Sequence, residues 1–305
     1  MTHFTRRQAL IGAAAAPLAA GLAGQVQANA KMMGASTANY HRIVRGGFEV
    51  TTILAAAFVR DNAQSIFGTN VSAEEFAAVS AANFLPADRV MLPVTPTVVN
   101  TGTELLLFDA GADPAGTAAA LGNAGYTPEQ IDAVVLTHMH PDHIGGLIGD
   151  SGPTFPNARI IATAEEHNFW AGNNNEVFNA KVKPLNDRVS FIEDGGSVAP
   201  GITAMHAFGH TPGHTTYLLD SEGAQLLIFG DTANHPVWSL GYPDWEVVFD
   251  IDKSMAAATR RRVLSMLAAE KMPFIGFHMP FPGMGFVETR GDGFRYVPVS
   301  YQMHL

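Results

Sequence analysis

The run Thr137-His-Met-His-Pro-Asp-His-Ile-Gly-Gly146 crowds three imidazoles and a carboxylate into one short stretch: His138, His140, Asp142 and His143. Neutral imidazole and carboxylate together suit zinc and other divalent first-row ions. Asp142 and His143 follow the first pair directly yet must point elsewhere, which favours two metals over one. Cys is absent, so thiolate ligands, disulfides and a Cys nucleophile are excluded. The Gly-x-Ser-x-Gly elbow of serine hydrolases is also missing. The chemistry this points to is metal-assisted hydrolysis.

Three later positions offer further donors. His214 closes Gly-His-Thr-Pro-Gly-His, Asp231 follows Phe-Gly, and His278 follows Ile-Gly-Phe. Singly each is weak, because a strand-end His is more often a hydrogen-bonded structural residue than a ligand. His210 lies four residues before His214 and could stand behind a ligand, and His235 lies four after Asp231 and could face the substrate; a satisfied structural His is the first reading of both. Asp109, in Leu-Phe-Asp-Ala-Gly, reads either as a solvent-facing turn residue or as an orienting partner for a ligand His.

These residues need elements to position them. Short apolar runs at Ala133 to Leu136, Ile202 to His206, Leu226 to Phe229 and Phe274 to Phe277 read as strands, each leading to one of the candidates. The C-terminal ends of strands in α/β sheets commonly carry ligand sites. Further strands are predicted from Gly46 to Phe58, at Thr97 to Val99, Glu104 to Phe108, Arg159 to Ala162 and Thr215 to Leu219. Helices are predicted from Ser72, whose capping-box spacing with Glu75 starts one that stops before Pro86, and from Pro114 to about Asn123. Others start at Thr127-Pro128 and at Ala164. The longest runs from Lys253 to Glu270, with Met255, Ala258, Val263, Leu264 and Leu267 as its apolar stripe. The segment from 60 to 90 reads as a lid or an oligomer contact.

Composition narrows the class. Hydrophobic residues at 47% against 15% charged give ample core and exclude disorder. A net charge of −10 argues against a general nucleic-acid binder. Residues 1–30 read as an address: Arg6-Arg7 precede the Ala/Leu/Gly run Ala9 to Gly24, and Ala28-Asn29-Ala30 resembles a cleavage site. The twin arginines resemble a twin-arginine export signal, which predicts a periplasmic or secreted protein. Its removal would take the net charge to −12. No other stretch reads as a membrane span.

Taken in order, the His138–His143 cluster, His214, Asp231 and His278 resemble the metallo-β-lactamase superfamily, from about Ile43 to the end of the chain. That resemblance implies an α/β fold, a four-layer αββα sandwich, as one domain over residues 31–305 with an N-terminal extension at about 31–95. It implies two divalent metal ions, Zn²⁺ first, with Mn²⁺, Co²⁺ or Fe²⁺ as alternatives. His138, His140 and His214 would hold one; Asp142, His143 and His278 the other; Asp231 would bridge them. Asp109, His210 and His235 stand as partners behind the ligands. The presence of Asp231 and the absence of Cys point away from β-lactams.

Within the superfamily, the run His278-Met-Pro-Phe-Pro-Gly-Met-Gly and the long leading segment look most like the methyl parathion hydrolase and quorum-quenching lactonase group. Trp170 sits where that group places a pocket aromatic; Phe84, Phe191, Trp238 and Phe281 are weaker pocket candidates. The implied function is hydrolysis of small esters, lactones or organophosphate triesters by a metal-bridging hydroxide, with Asp142 relaying the proton. The alternatives are a glyoxalase II-like thioester hydrolase, a β-lactamase, and a catalytically silent metal-binding protein. The partner is a small molecule, with neither nucleic acid nor membrane span; the resemblance also suggests a homodimer.

Overall fold

Alternation along short apolar runs sets the architecture. Leu106 and Phe108 face one way and Leu107 the other; Ala133 and Val135 oppose Val134; Leu226 and Ile228 oppose Leu227. Strands buried on both faces must sit between layers. The computed structural model describes residues 34–304, so the export-signal reading of residues 1–30 lies outside the described residues. The unit Ala38–Leu305 holds everything that follows.

Two seven-stranded sheets form its middle. The first runs Tyr40–Arg45, Phe48–Ile53, Thr97–Asn100, Leu105–Phe108, Ala133–Val135, Arg159–Ala162, Val189–Phe191 in spatial order. It is antiparallel as far as Leu105–Phe108 and parallel beyond. The second runs Ser197–Ala199, Ile202–His206, Thr215–Ser221, Ala224–Ile228, Phe274–Ile275, Met284–Arg290, Gly293–Pro298. Between the sheets, Ile43, Val50, Leu106 and Val135 meet Ile202, Tyr217, Leu219 and Ile228. Leu121, Trp170 and Phe178 cover the outer face of the first sheet, and Val263, Leu264 and Leu267 that of the second. The result is a four-layer αββα sandwich.

Helix ends follow local chemistry. Asp113 accepts from Gly116 N ahead of Pro114–Asn123, and Asp252 from Met255 N ahead of Lys253–Glu270. The helix expected from Thr127-Pro128 is only the 3₁₀ turn Pro128–Gln130, because Ile131 already turns extended to enter Ala133–Val135. The run read as one strand from Gly46 to Phe58 is two, Phe48–Ile53 and Ala56–Asp61. The second joins neither sheet and pairs with Arg89–Val94 in a hairpin. Helix Ala73–Ala82 lies between the hairpin strands, and Phe67, Phe76 and Leu92 from this segment pack on Trp238, Trp245 and Val247.

The stripe of Lys253–Glu270 is phased differently from the sequence pattern. Met255 is 46% exposed, and the buried face carries Ala256 and Arg260 with Val263, Leu264 and Leu267. Arg260, fully buried, donates from Nε to Thr232 O at 2.9 Å, from Nη1 to Pro243 O at 2.9 Å and from Nη2 to Asp250 Oδ2 at 2.7 Å. Removing one partner of a buried ion pair strands the other's charge, at a cost of about 3–5 kcal/mol. Arg260→Ala should therefore lower stability by that amount, read as a shifted urea midpoint at unchanged slope. A loss below about 1 kcal/mol would mean that water replaces the guanidinium.

Candidate metal centre

Strand ends deliver the donors to one edge of the sandwich. Ala133–Val135 leads into His138 and His140, and Pro141 opens the single turn Pro141–Ile144 that carries Asp142 and His143. Gly145 and Gly146 let this turn lie against the Asp109 loop: a Cβ on either would stand 2.0 Å from a carbonyl oxygen, of Ala112 and Ala110 respectively. Asp231 follows Ala224–Ile228, His278 follows Phe274–Ile275, and His210 lies between Ile202–His206 and Thr215–Ser221.

Two groups of donors result. His140 Nδ1 stands 3.0 Å from His138 Nε2 and 2.9 Å from His210 Nε2. Asp142 Oδ2 stands 3.2 Å from His278 Nε2 and 3.9 Å from His143 Nε2. Both groups, His138–His140–His210 and Asp142–His143–His278, are tight enough to hold a metal ion. Asp231 lies between them. Its Oδ2 is 3.4 Å from His210 Nε2 and 3.4 Å from His278 Nε2, while Oδ1 is 3.6 Å from His143 Nε2.

Hydrogen bonds on the far side of each ring fix which nitrogen carries a proton. His143 Nδ1 donates to Asp109 Oδ2 at 2.9 Å, His210 Nδ1 to Asp250 Oδ1 at 2.8 Å, and His278 Nδ1 to Pro93 O at 2.7 Å. Thr137 gives its hydroxyl proton to Asp109 Oδ2 at 2.8 Å, so its oxygen accepts from His138 Nδ1 at 3.1 Å. Each Nε2 is thereby left as a lone pair aimed at the centre. His143 Nε2 and Asp231 Oδ1 are buried with no hydrogen-bond partner. Buried polar atoms without partners are rare, and a ligated cation accounts for both.

The electrostatics agree. Burial and the neighbouring His210 push His140 down to about 3. Burial and His143 likewise hold His138 well below its ordinary value. Burial opposes a charge on His143 too, yet Asp109 and Asp231 hold it up at about 10. His278 is held high against burial by Asp231 and Asp142. The carboxylates therefore demand positive charge here, and divalent cations held by these residues would supply it in place of ring protons.

The structure redistributes several sequence readings. His214, read as a ligand, has both ring nitrogens engaged by backbone: Nδ1 with Ala207 O at 3.1 Å and Nε2 accepting from Asp231 N at 3.0 Å. It has no lone pair left for a metal, and it orients the Asp231 turn instead. His210, read as a partner behind the ligands, takes the donor position. Both readings are corrected by the same fact, the fate of the second ring nitrogen. His235 is not a partner of a donor: its Nδ1 accepts from Val237 N and Trp238 N at 3.2 and 3.1 Å, and its ring stacks on Trp238. Asp109 is buried, holding Thr137 and His143.

A cavity of about 340 Å³ opens over Asp142, Asp231 and His278. Its apolar wall is Phe58, Phe67, Leu92 and Phe249, and Arg60 stands in its lining. Trp170 is absent from the lining; it sits behind the centre with its ring edge on His140 and its Nε1–H on Glu166. Phe84, Phe191, Trp238 and Phe281 do not line it either. Phe84 is 97% exposed and Trp238 is buried in the cluster with Phe76. Sequence reasoning missed Asp250, Glu166 and Asn234. Asn234 donates from Nδ2 to Asp231 Oδ2 at 2.7 Å, while its buried Oδ1 has no partner.

Residues 90–273 match the family model described as the metallo-beta-lactamase superfamily. The chain is 28% identical over 158 residues to an N-acyl homoserine lactonase of a Bacillus species, a match covering 52% of this chain. The chain spans about 59% of the length of that curated relative. Among solved structures it is similar to AidC, a dizinc quorum-quenching lactonase in complex with a product, with a TM-score of 0.79 and 26% identity over 86% of this chain and 98% of that one. It is equally similar to the hydrolase AbOPH of the beta-lactamase superfamily, with a TM-score of 0.79 and 25% identity over 88% of this chain and 99% of that one.

The redistribution of histidines is testable. His210→Ala should lose at least half of the bound metal, counted by elemental analysis of purified protein. His214→Ala should keep more metal than His210→Ala and show its main effect as a lowered melting temperature. The opposite ranking would restore His214 as the ligand.

Proposed function

The chain belongs to the metallo-β-lactamase superfamily, and we propose that it is a dinuclear metal-dependent hydrolase of small esters and lactones, acyl-homoserine lactones first among them. The observation that carries this reading is the pair of donor triads with Asp231 between them beneath an apolar cavity. When bound, two divalent cations supply a water of lowered pKa and polarise the oxygen of the substrate's electrophile. Zinc is the first choice of metal for five imidazoles and two carboxylates, with Mn²⁺, Co²⁺ and Fe²⁺ as alternatives.

The chain's own residues do the rest. His143 and His278 hold their donor nitrogens inward through Asp109 and Pro93 O. Asp142 lines the cavity with its side chain 31% exposed and gives Oδ2 to His278. Its Oδ1 is the atom assigned to accept the nucleophile's proton and pass it to the leaving oxygen. Phe58, Phe67, Leu92 and Phe249 exclude water from one side of the substrate and suit an acyl or aryl group.

Arg6-Arg7 and Ala28-Asn29-Ala30 support a protein exported to the periplasm or beyond. Among the described residues no helix is long and apolar enough to cross a membrane.

Metal-loaded protein should be assayed on a homoserine lactone, an aryl acetate, paraoxon, a glutathione thioester and a β-lactam. Lactone turnover should dominate, and removing metal with a chelator should abolish it. His140→Ala and Asp231→Ala should each abolish activity and reduce bound metal; full activity in either would sink the assignment.

A further inference from the structure

Glu166 lies on helix Ala164–Gly172, contacts neither cavity nor metal donors, and is 1% exposed. A carboxylate buried this deeply demands hydrogen bonds, and it has four. Oε1 accepts from Met139 N at 2.8 Å and Trp170 Nε1 at 2.6 Å. Oε2 accepts from Thr211 Oγ1 at 2.6 Å and Gly213 N at 2.9 Å. Met139 is the residue between His138 and His140, and Thr211 directly follows His210. Trp170, the fourth donor, packs its ring edge on His140 at 5.5 Å between centroids. Glu166 thus reaches all three members of one donor group through their chain neighbours.

The approach is close. A Cβ on Gly213 would stand 2.3 Å from Glu166 N and 2.6 Å from Glu166 Cβ, so only glycine lets this loop lie against the helix. The other group has separate supports: Asp109 holds His143, and Pro93 O holds His278. Nothing from Glu166 reaches it.

We propose that Glu166 is the positioning residue of the His138–His140–His210 site, locking two loops from opposite sheets at the separation one metal ion needs. The proposal rests on the dinuclear reading above. All four partners are donors, so the requirement is for two acceptor oxygens and not for size. A carboxamide turns an N–H₂ group towards two of those donors, and glutamine therefore cannot stand in for glutamate.

The test is metal content and affinity in the full chain, measured by elemental analysis and competition with a chromogenic chelator. Wild-type protein should hold two zinc ions. Glu166→Gln and Glu166→Ala should each keep one at wild-type affinity and bind the other about 10- to 100-fold more weakly, the range typical for partners behind a ligand. Thr211→Val removes a single bond to Oε2 and should weaken the same ion alone; it carries the test if the Glu166 variants do not fold. Equal weakening of both ions, wild-type affinity for both, or rescue by glutamine would overturn the proposal. Fewer than two zinc ions in wild-type protein would instead overturn the dinuclear reading, and this proposal with it.

Discussion

Five imidazoles and the Asp142 carboxylate converge around Asp231, and the rest of the molecule answers to that crowding. Charges taken out of water cost several kcal/mol each unless paired and hydrogen-bonded. The protein meets the cost with a second ring of acceptors. Asp109 serves His143 and, through Thr137, His138; Asp250 serves His210 and is itself neutralised by Arg260; Pro93 O serves His278. Each of these bonds sets a tautomer, and each tautomer turns a lone pair inward. Fold stability and metal geometry therefore share residues, since the Arg260–Asp250 pair belongs to the packing of the last long helix and to the orientation of His210.

The sandwich makes such convergence feasible. Loops from the first sheet bring Asp109, His138, His140, Asp142 and His143, and loops from the second bring His210, Asp231 and His278. Because the sheets are held apart by a packed core, their loops meet only along the edge, and their spacing is fixed by strands rather than by the loops themselves. Tyr217, buried in the second sheet, donates to Leu136 O at 2.8 Å and ties the sheets together just below the His138 loop. Thr215 N donates to Thr137 O at 2.9 Å one step closer to the centre.

What the sequence made legible were features written locally. Short apolar runs gave strands such as Arg159–Ala162 and Ile202–His206, capping-box spacing gave the start of Ala73–Ala82, the apolar pattern gave Lys253–Glu270, and the cluster His138 to His143 announced metal. What it concealed depended on partners far along the chain. His210 and His214 are equivalent as letters; they differ because Asp250 takes one ring's outer nitrogen while Ala207 O and Asp231 N occupy both of the other's. Arg260 stands outside the apolar stripe named from the sequence, and Asp250, Thr232 and Pro243 surround it. Trp170 reads as a pocket aromatic, yet it meets Glu166 behind His140. A donor's identity is thus local, and its role is not.

The cavity wall follows a different rule from the centre. Phe58, Arg60 and Leu92 come from a hairpin whose strands pair only with each other, Ala56–Asp61 with Arg89–Val94. Sheet pairing does not fix such a hairpin, so its place depends on packing of Leu92 and Val90 against Trp238 and Val247. One hydrogen bond joins it to the chemistry: Pro93 O, next to Leu92 in the wall, accepts from His278 Nδ1. A side chain that pushes the hairpin outward lengthens the bond that fixes the His278 tautomer. The wall and the His278 donor are coupled at that point, and changes to the wall must be read at His278 as well as in the cavity.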